Sequence, residues 1–487
     1  MSTAAVAPPR RLSRGLVVAY GFGAVAYGVK DTGFGGFLLF FYNQVMGLPQ
    51  ATVSFVIMAA LLIDAAVDPM IGFLSDRTRS RWGRRHPWMY ASALPIMMLY
   101  VAVWSPPSGL GATGLLVWLF AIAVLMRSAV SAYEVPSVAL TPELTGDYDE
   151  RTRVLAWRYL WGWAGVVATL LAIWLWFLAP APGFPDGKLN PAGYYRLGIA
   201  SALLMGFAIL VSALATHREI PKFPKLGAVK AARLRDSFGE LRDTLRNRAF
   251  AILMTAGVLL YTNQGVISAL GVYTAVHIWG FHPGDFVMQA LSFAVAASIA
   301  LLAAPWLGRR GSKPKIAAAA VVCGAMFITV PYWLRFAGLL PPASDPVLPF
   351  IAVWVSAAGT ACNISGFILA ASMMADVVED SELRTGRRDE GVFFAGSFFM
   401  QKCTSGIGIF GAGVILSLSH FPARALPGQV SAAVLDRLAL VHASSYLAIA
   451  LVAAFILTRF PFGRTEHQAR LALLAGAPTL EAIPQQV

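Results

Sequence analysis

Long apolar runs alternate with short polar links along almost the whole chain. A helix crossing a bilayer needs roughly 20 apolar residues. On that measure the pattern predicts twelve spanning helices, at 16–46, 50–75, 87–106, 112–141, 153–179, 193–216, 249–275, 283–305, 316–338, 346–375, 391–418 and 435–459. Clusters of Pro, Gly and Asn punctuate the links, as in SPPSGLG at 105–111, GFPDGKLNP at 183–191 and LPPASDP at 340–346. The first run follows a polar, basic start. It is too long for a signal-peptide core and lacks a cleavage site, so it is expected to stay as a span.

One link differs. Residues 217–248 hold nine Lys/Arg and four Asp/Glu, with helical spacing of Leu and Phe from Ala228 onward. An amphipathic helix lying on the membrane surface is expected there. The link divides the chain into a first six-span unit (1–216), the link itself (217–248), a second six-span unit (249–460) and a tail (461–487). The charged links of the two halves echo each other. DRTRSRWGRRHP after the second span parallels GRRGSKPK after the eighth, and TPELTGDYDERTR after the fourth parallels ADVVEDSELRTGRRDEG after the tenth. Such repeats build many transporters, with the site near the midplane.

Composition agrees with the pattern. Hydrophobic residues make up 57% of the 487 and charged residues only 13%. Soluble domains carry about 25% charged residues. The net charge of +13 invites a nucleic-acid partner. However, 29 Lys/Arg fall on one set of links and ends, against only Lys188, Arg335 and Arg424 on the other. That split is expected to place both termini in the cytoplasm, and no nucleic acid is implied. Cys323, Cys362 and Cys403 have neither metal nor disulfide spacing. Gly406-Ile-Gly408-Ile-Phe-Gly411 matches a dinucleotide pattern but lies inside an apolar span, so helix packing explains it better. No catalytic constellation and no accessory domain are evident, which disfavours an enzyme or a sensor.

The chemistry lies in ionisable residues within the spans. Each costs about 2.5–3.5 kcal/mol on an insertion scale and is functional by default. The acids are Asp31, Asp64, Asp68 and Glu134, all in the first half, and the bases are Lys30, Arg127, Arg158 and Lys402. Asp64 and Asp68 stand one turn apart on one helix face, roughly 6 Å from each other. Two carboxylates in low dielectric need a counter-charge. A bound cation or a proton supplies it; so does a salt bridge to Arg127 or Arg158. Arg127, Ser131 and Glu134 share a face of the fourth span. Ser131 can lend an oxygen to a hard cation or simply bond its own helix. Glu134 can accept substrate hydroxyls or pair with Arg127 or Arg158.

These residues carry a resemblance. Asp64-Ala-Ala-Val-Asp68-Pro69-Met-Ile-Gly72, running into Asp76-Arg77-Thr-Arg-Ser-Arg81-Trp82-Gly83-Arg84, is similar to the second-helix signature of the melibiose-carrier family. These are glycoside–pentoside–hexuronide:cation symporters of the major facilitator superfamily. Tyr20 to Asp31, Glu134-Val-Pro136 with Thr141-Pro142, and Ala375-Asp376 through Arg388 to Lys402 agree with it. The resemblance implies an all-α integral membrane protein with two six-helix bundles and alternating access. It further implies a symporter for a sugar, glycoside or uronide, with sodium or a proton as coupling ion and no other cofactor. Asp64, Asp68 and Ser131 resemble the cation site, the two aspartates being the sodium ligands if sodium couples. Lys30, Asp31, Arg158, Phe367 and Lys402 resemble sugar-site and coupling residues. Asp76, Arg77, Arg81, Arg84, Asp376 and Arg388 would latch the cytoplasmic side.

Glu134 stands where the family has aspartate, Val138 where it has tryptophan, and Arg127 is extra. Arg127 can neutralise Glu134, grip a uronide carboxylate or shift ion choice from sodium to protons. The implied setting is a bacterial inner membrane, and the implied state a monomer in the lipid bilayer. A carrier of an amphipathic lipid such as a lysophospholipid is the alternative reading.

Overall fold

The structure, a computed structural model, describes residues 12–145, 148–184, 186–222, 247–342, 345–385, 390–426 and 428–461. The surface helix expected from Ala228, most of the tail and Arg388 lie outside the described residues. Among those described there is no strand, only a lone bridge between Ala181 and Phe184.

Among the described residues eleven helices are each long and apolar enough to cross a membrane. The second to sixth spans are Gln50–Arg77, His86–Trp104, Ala112–Ala139, Tyr148–Ala172 and Pro191–His217. The seventh to twelfth are Arg248–Tyr273, Pro283–Arg310, Lys313–Phe336, Val347–Thr385, Glu390–Leu418 and Ala432–Thr458. The first apolar run is helical too, but in pieces: Arg14–Phe22, Val25–Thr32 and Leu38–Phe40 are α, while Gly33–Phe37 and Phe41–Val45 are π. Its pattern predicts one unbroken helix. Six glycines between Gly21 and Gly36 weaken that helix, and apolar patterning does not register the breaks. The tenth helix overruns its predicted end at 375 by ten residues, to Thr385. Charge marks where lipid ends, not where hydrogen bonding ends, and Val377 and Val378 are still buried.

The chain forms two compact units. The first runs through the sixth span and takes in Ser268–Tyr273 and Pro422–Leu426; the second holds the rest. In the first unit the second span packs on the fourth, and the third packs on the fourth and sixth. In the second unit the eighth packs on the tenth, and the ninth packs on the tenth and twelfth. These are the same pairings displaced by six spans, as an internal duplication requires.

Glycines set the closest approaches. A Cβ on Gly28 would lie 2.2 Å from the Gly162 carbonyl, so the first and fifth spans touch backbone to backbone there. In the second unit a Cβ on Gly408 would lie 2.2 Å from the Thr262 carbonyl. The glycine pattern at 406–411 is therefore a helix-packing device, as expected.

Candidate functional site

Packing of the second span on the fourth brings Asp64 against Arg127 and Ser131. Arg127 Nη2 and Nε donate to Asp64 Oδ2 at 2.7 and 3.0 Å. Ser131 Oγ donates to Asp64 Oδ1 at 2.9 Å. Asp64 is 2% exposed, Arg127 6% and Ser131 1%. Both carboxylate oxygens are thus engaged by neighbours on one helix face, the donors being one turn apart. Of the destinations open to Arg127 from sequence, the structure gives it Asp64. The Phe34 ring lies 5.7 Å from the same guanidinium. Asp68 is half-buried one turn further along. The second helix continues through Pro69, which lacks the N–H that would satisfy the Ala65 carbonyl.

A second cluster forms where the first span meets the fourth and fifth. Buried Lys30 pairs with exposed Asp31 at 2.7 Å, and its Nζ lies 4.2 Å above the Tyr27 ring. Tyr27 is within electrostatic reach of Asp31, Glu134 and Arg127. Arg158 donates to Ser137 Oγ at 2.8 Å and stands 4.9 Å over the Tyr20 ring. Tyr20 donates to the Ser137 carbonyl and shares a hydrogen bond of 2.9 Å with Thr141. Glu134, half-buried, lies in the field of Arg158. Lys30, Asp31, Glu134, Arg127 and Arg158 therefore sit in one unit, around two tyrosine rings.

Tyr20, Tyr27 and Ser137 escape a search for charges. For the two tyrosines the signal is spacing: Tyr20, Tyr27 and Asp31 follow at i, i+7 and i+11, which an unbroken helix would set on one face.

At one end of the same unit, Arg84 and Arg85 converge on Glu143. The Arg84 Nη2 and Arg85 Nε distances to Glu143 Oε1 are 2.8 and 3.1 Å. Arg85 also pairs with Asp76 and donates to Ser75. Sequence reasoning names Asp76 and Arg84 here but misses Arg85 and Glu143. Arg77 covers the Phe73 ring and Arg81 faces Trp82. In the second unit, Asp376 takes Lys313 Nζ at 2.8 Å. Lys402 is half-buried in the eleventh span, and Phe367 stacks on Tyr261 with ring centroids 5.1 Å apart.

Comparison with known proteins gives a consistent outcome. Residues 19–464 match the family described as "MFS/sugar transport protein". The inner membrane symporter YicJ of Escherichia coli K12 is 27% identical, with 90% of each chain covered. The isoprimeverose transporter of Lactiplantibacillus pentosus is 25% identical over 80% of this chain and 76% of its own. A sodium-dependent lysophosphatidylcholine symporter of Danio rerio is 24% identical over 83% of this chain and 78% of its own. Among solved structures, a D-xylose-proton symporter superposes with a TM-score of 0.62 at 12% identity, covering 92% of this chain and 97% of that one. At that identity the likeness shows the fold alone.

Proposed function

Because the chain belongs to the MFS/sugar transport protein family, and is therefore a multi-pass membrane transporter of the symporter type rather than an enzyme, we propose that it carries a neutral sugar or glycoside inward together with one proton. The observation that carries the choice of ion is the lock on Asp64. A sodium ion prefers several oxygen ligands, and in the sequence reading they come from Asp64, Asp68 and Ser131. Here Arg127 already supplies the positive charge and Ser131 takes the second oxygen. A proton needs only one oxygen, and Asp68 is the carboxylate that takes it.

Charge counting supports the stoichiometry. Of the charges assigned to the candidate site in the first unit, the acids Asp31, Asp64, Asp68 and Glu134 outnumber the bases Lys30, Arg127 and Arg158 by one, with Arg153 and Arg196 lying towards the ends of their spans and outside it. One monovalent cation restores neutrality. A neutral site can be closed off from water at the midplane far more cheaply than a charged one. Asp31, Glu134 and Arg158 are the groups that bind substrate hydroxyls, with the Tyr20 and Tyr27 rings as walls. Proton and sugar each favour the same loaded state, which is all that coupling requires. Both termini are cytoplasmic in this reading, and the arginine–carboxylate clusters at 75–85 and 143 brace that side.

Arg127 is not offered to a uronide carboxylate here, because Asp64 holds it. The lysophospholipid reading rests on the names of relatives from Danio rerio and Gallus gallus. The test is substrate counterflow in proteoliposomes with a panel of labelled pentosides, glycosides, uronides and lysophosphatidylcholine. Exchange of a neutral sugar that uronides fail to compete is expected. Exchange confined to the lipid would replace this reading with the other.

A further inference from the structure

The second unit has a small polar cleft of its own, lined in part by Asn263, Gln264, Asn363, Phe367 and Tyr446. It has room for about one water-sized group. Asn263, Asn363 and Tyr446 come from the seventh, tenth and twelfth spans, each near the middle of its apolar stretch. The cleft is therefore at midplane depth.

Its hydrogen bonding is incomplete in a specific way. Asn263 Nδ2 donates to the Tyr446 carbonyl at 3.0 Å. Its Oδ1 has no partner among the described residues, although Asn263 is only 3% exposed. Asn363 Nδ2 donates to the Tyr446 hydroxyl oxygen at 3.1 Å, which leaves the Tyr446 proton to be given elsewhere. A buried acceptor and a spare donor thus belong to residues lining the same cleft. Buried polar groups in native proteins are nearly always satisfied, so a ligand or a water belongs here. The Phe367 ring, stacked on Tyr261, forms an apolar wall. Among the described residues no charged side chain lines the cleft.

A hydroxyl group is the chemistry that can donate to Asn263 Oδ1 and accept from Tyr446 at once. A sugar presents its hydroxyls beside apolar C–H faces, which suits the aromatic wall. A phosphate or carboxylate would find no counter-charge. We infer that this cleft is a binding subsite for one hydroxyl of a neutral sugar, with Asn263 as acceptor and Tyr446 as donor. The inference rests on the sugar-transport reading above. Gly324 keeps the cleft in shape, because a Cβ there would lie 2.5 Å from Asn363 Oδ1.

The test is calorimetric binding to purified full-length protein, with methyl xylopyranosides, isoprimeverose and their monodeoxy analogues as probes. Tyr446→Phe removes the hydroxyl alone, and Asn263→Ala and Gly324→Ala probe the acceptor and the cleft shape. Each is expected to weaken the glycoside that wild type binds by roughly three- to tenfold. One monodeoxy analogue should lose more affinity for wild type than for Tyr446→Phe, a non-additivity that general loosening of the fold would not produce. Unchanged affinity in both Tyr446→Phe and Asn263→Ala would make the cleft a water site and overturn the inference while leaving sugar transport intact. Wild type binding none of the glycosides would overturn both.

Discussion

Arg127 sets two nitrogens on a single oxygen of Asp64, at 2.7 and 3.0 Å, while the other oxygen accepts from Ser131. The pair is buried, and its partners come from adjacent packed helices rather than from the links between them. A charge-assisted contact of this kind is among the stronger polar interactions a protein makes. Arg127 is a tethered counter-cation where the sequence motif leads one to expect a soluble one.

Arg127→Gln would leave Asp64 buried and uncompensated. Breaking a buried pair from one side costs about 3–5 kcal/mol. Sodium, a small hard cation, can then enter and repair part of the loss. Thermal melts of the variant should be depressed in choline chloride and partly restored in sodium chloride, whereas wild type should melt alike in both. A sodium-stabilised wild type would place the ion at Asp64 despite Arg127.

Asp68→Asn should abolish uphill accumulation and spare expression and counterflow. The substitution keeps size and removes the carboxylate proposed to take the proton. Paired uptake and exchange assays read the two effects separately. Retained accumulation would move the proton to another acid, Glu134 being the next candidate on these two helices.

Glu143→Gln removes the shared partner of Arg84 and Arg85. Hydrogen bonds to charged groups contribute about 1.5–3 kcal/mol each. The expected outcome is a lower melting temperature and slower transport with substrate affinity little changed. An unaltered melting temperature would reduce this cluster to surface charge.

Gly28→Ala forces a methyl into a space where the Gly162 carbonyl would be 2.2 Å away. Overpacking of this kind costs about 1–3 kcal/mol. Gly15→Ala is the control, since nothing lies within 4 Å of a Cβ there. A melting temperature for Gly28→Ala equal to the control would show that the first and fifth spans yield easily.

The architecture was legible because lipid imposes one simple requirement, a long apolar stretch, and the chain meets it repeatedly. Breaks in the first span were not legible, since glycine clusters inside an apolar run leave hydropathy unchanged. Among site residues, charge inside a span pointed to Asp64, Arg127, Glu134 and Arg158. It did not decide which base Asp64 would take, because helix spacing orders residues on one helix and says nothing of rotation between two. Tyr27, Asn263 and Tyr446 were invisible to a charge criterion, and uncharged polar groups are too common in spans to stand out singly. Glu143 and Arg85 were hidden in links whose other charges are explained by orientation alone.

The most direct measurement is sugar accumulation in proteoliposomes under one imposed gradient at a time. With acid outside and no sodium present, the account predicts accumulation that collapses when a protonophore is added. With an inward sodium gradient and equal pH, it predicts only slow equilibration. Sodium-driven accumulation that ignores the pH gradient would contradict it.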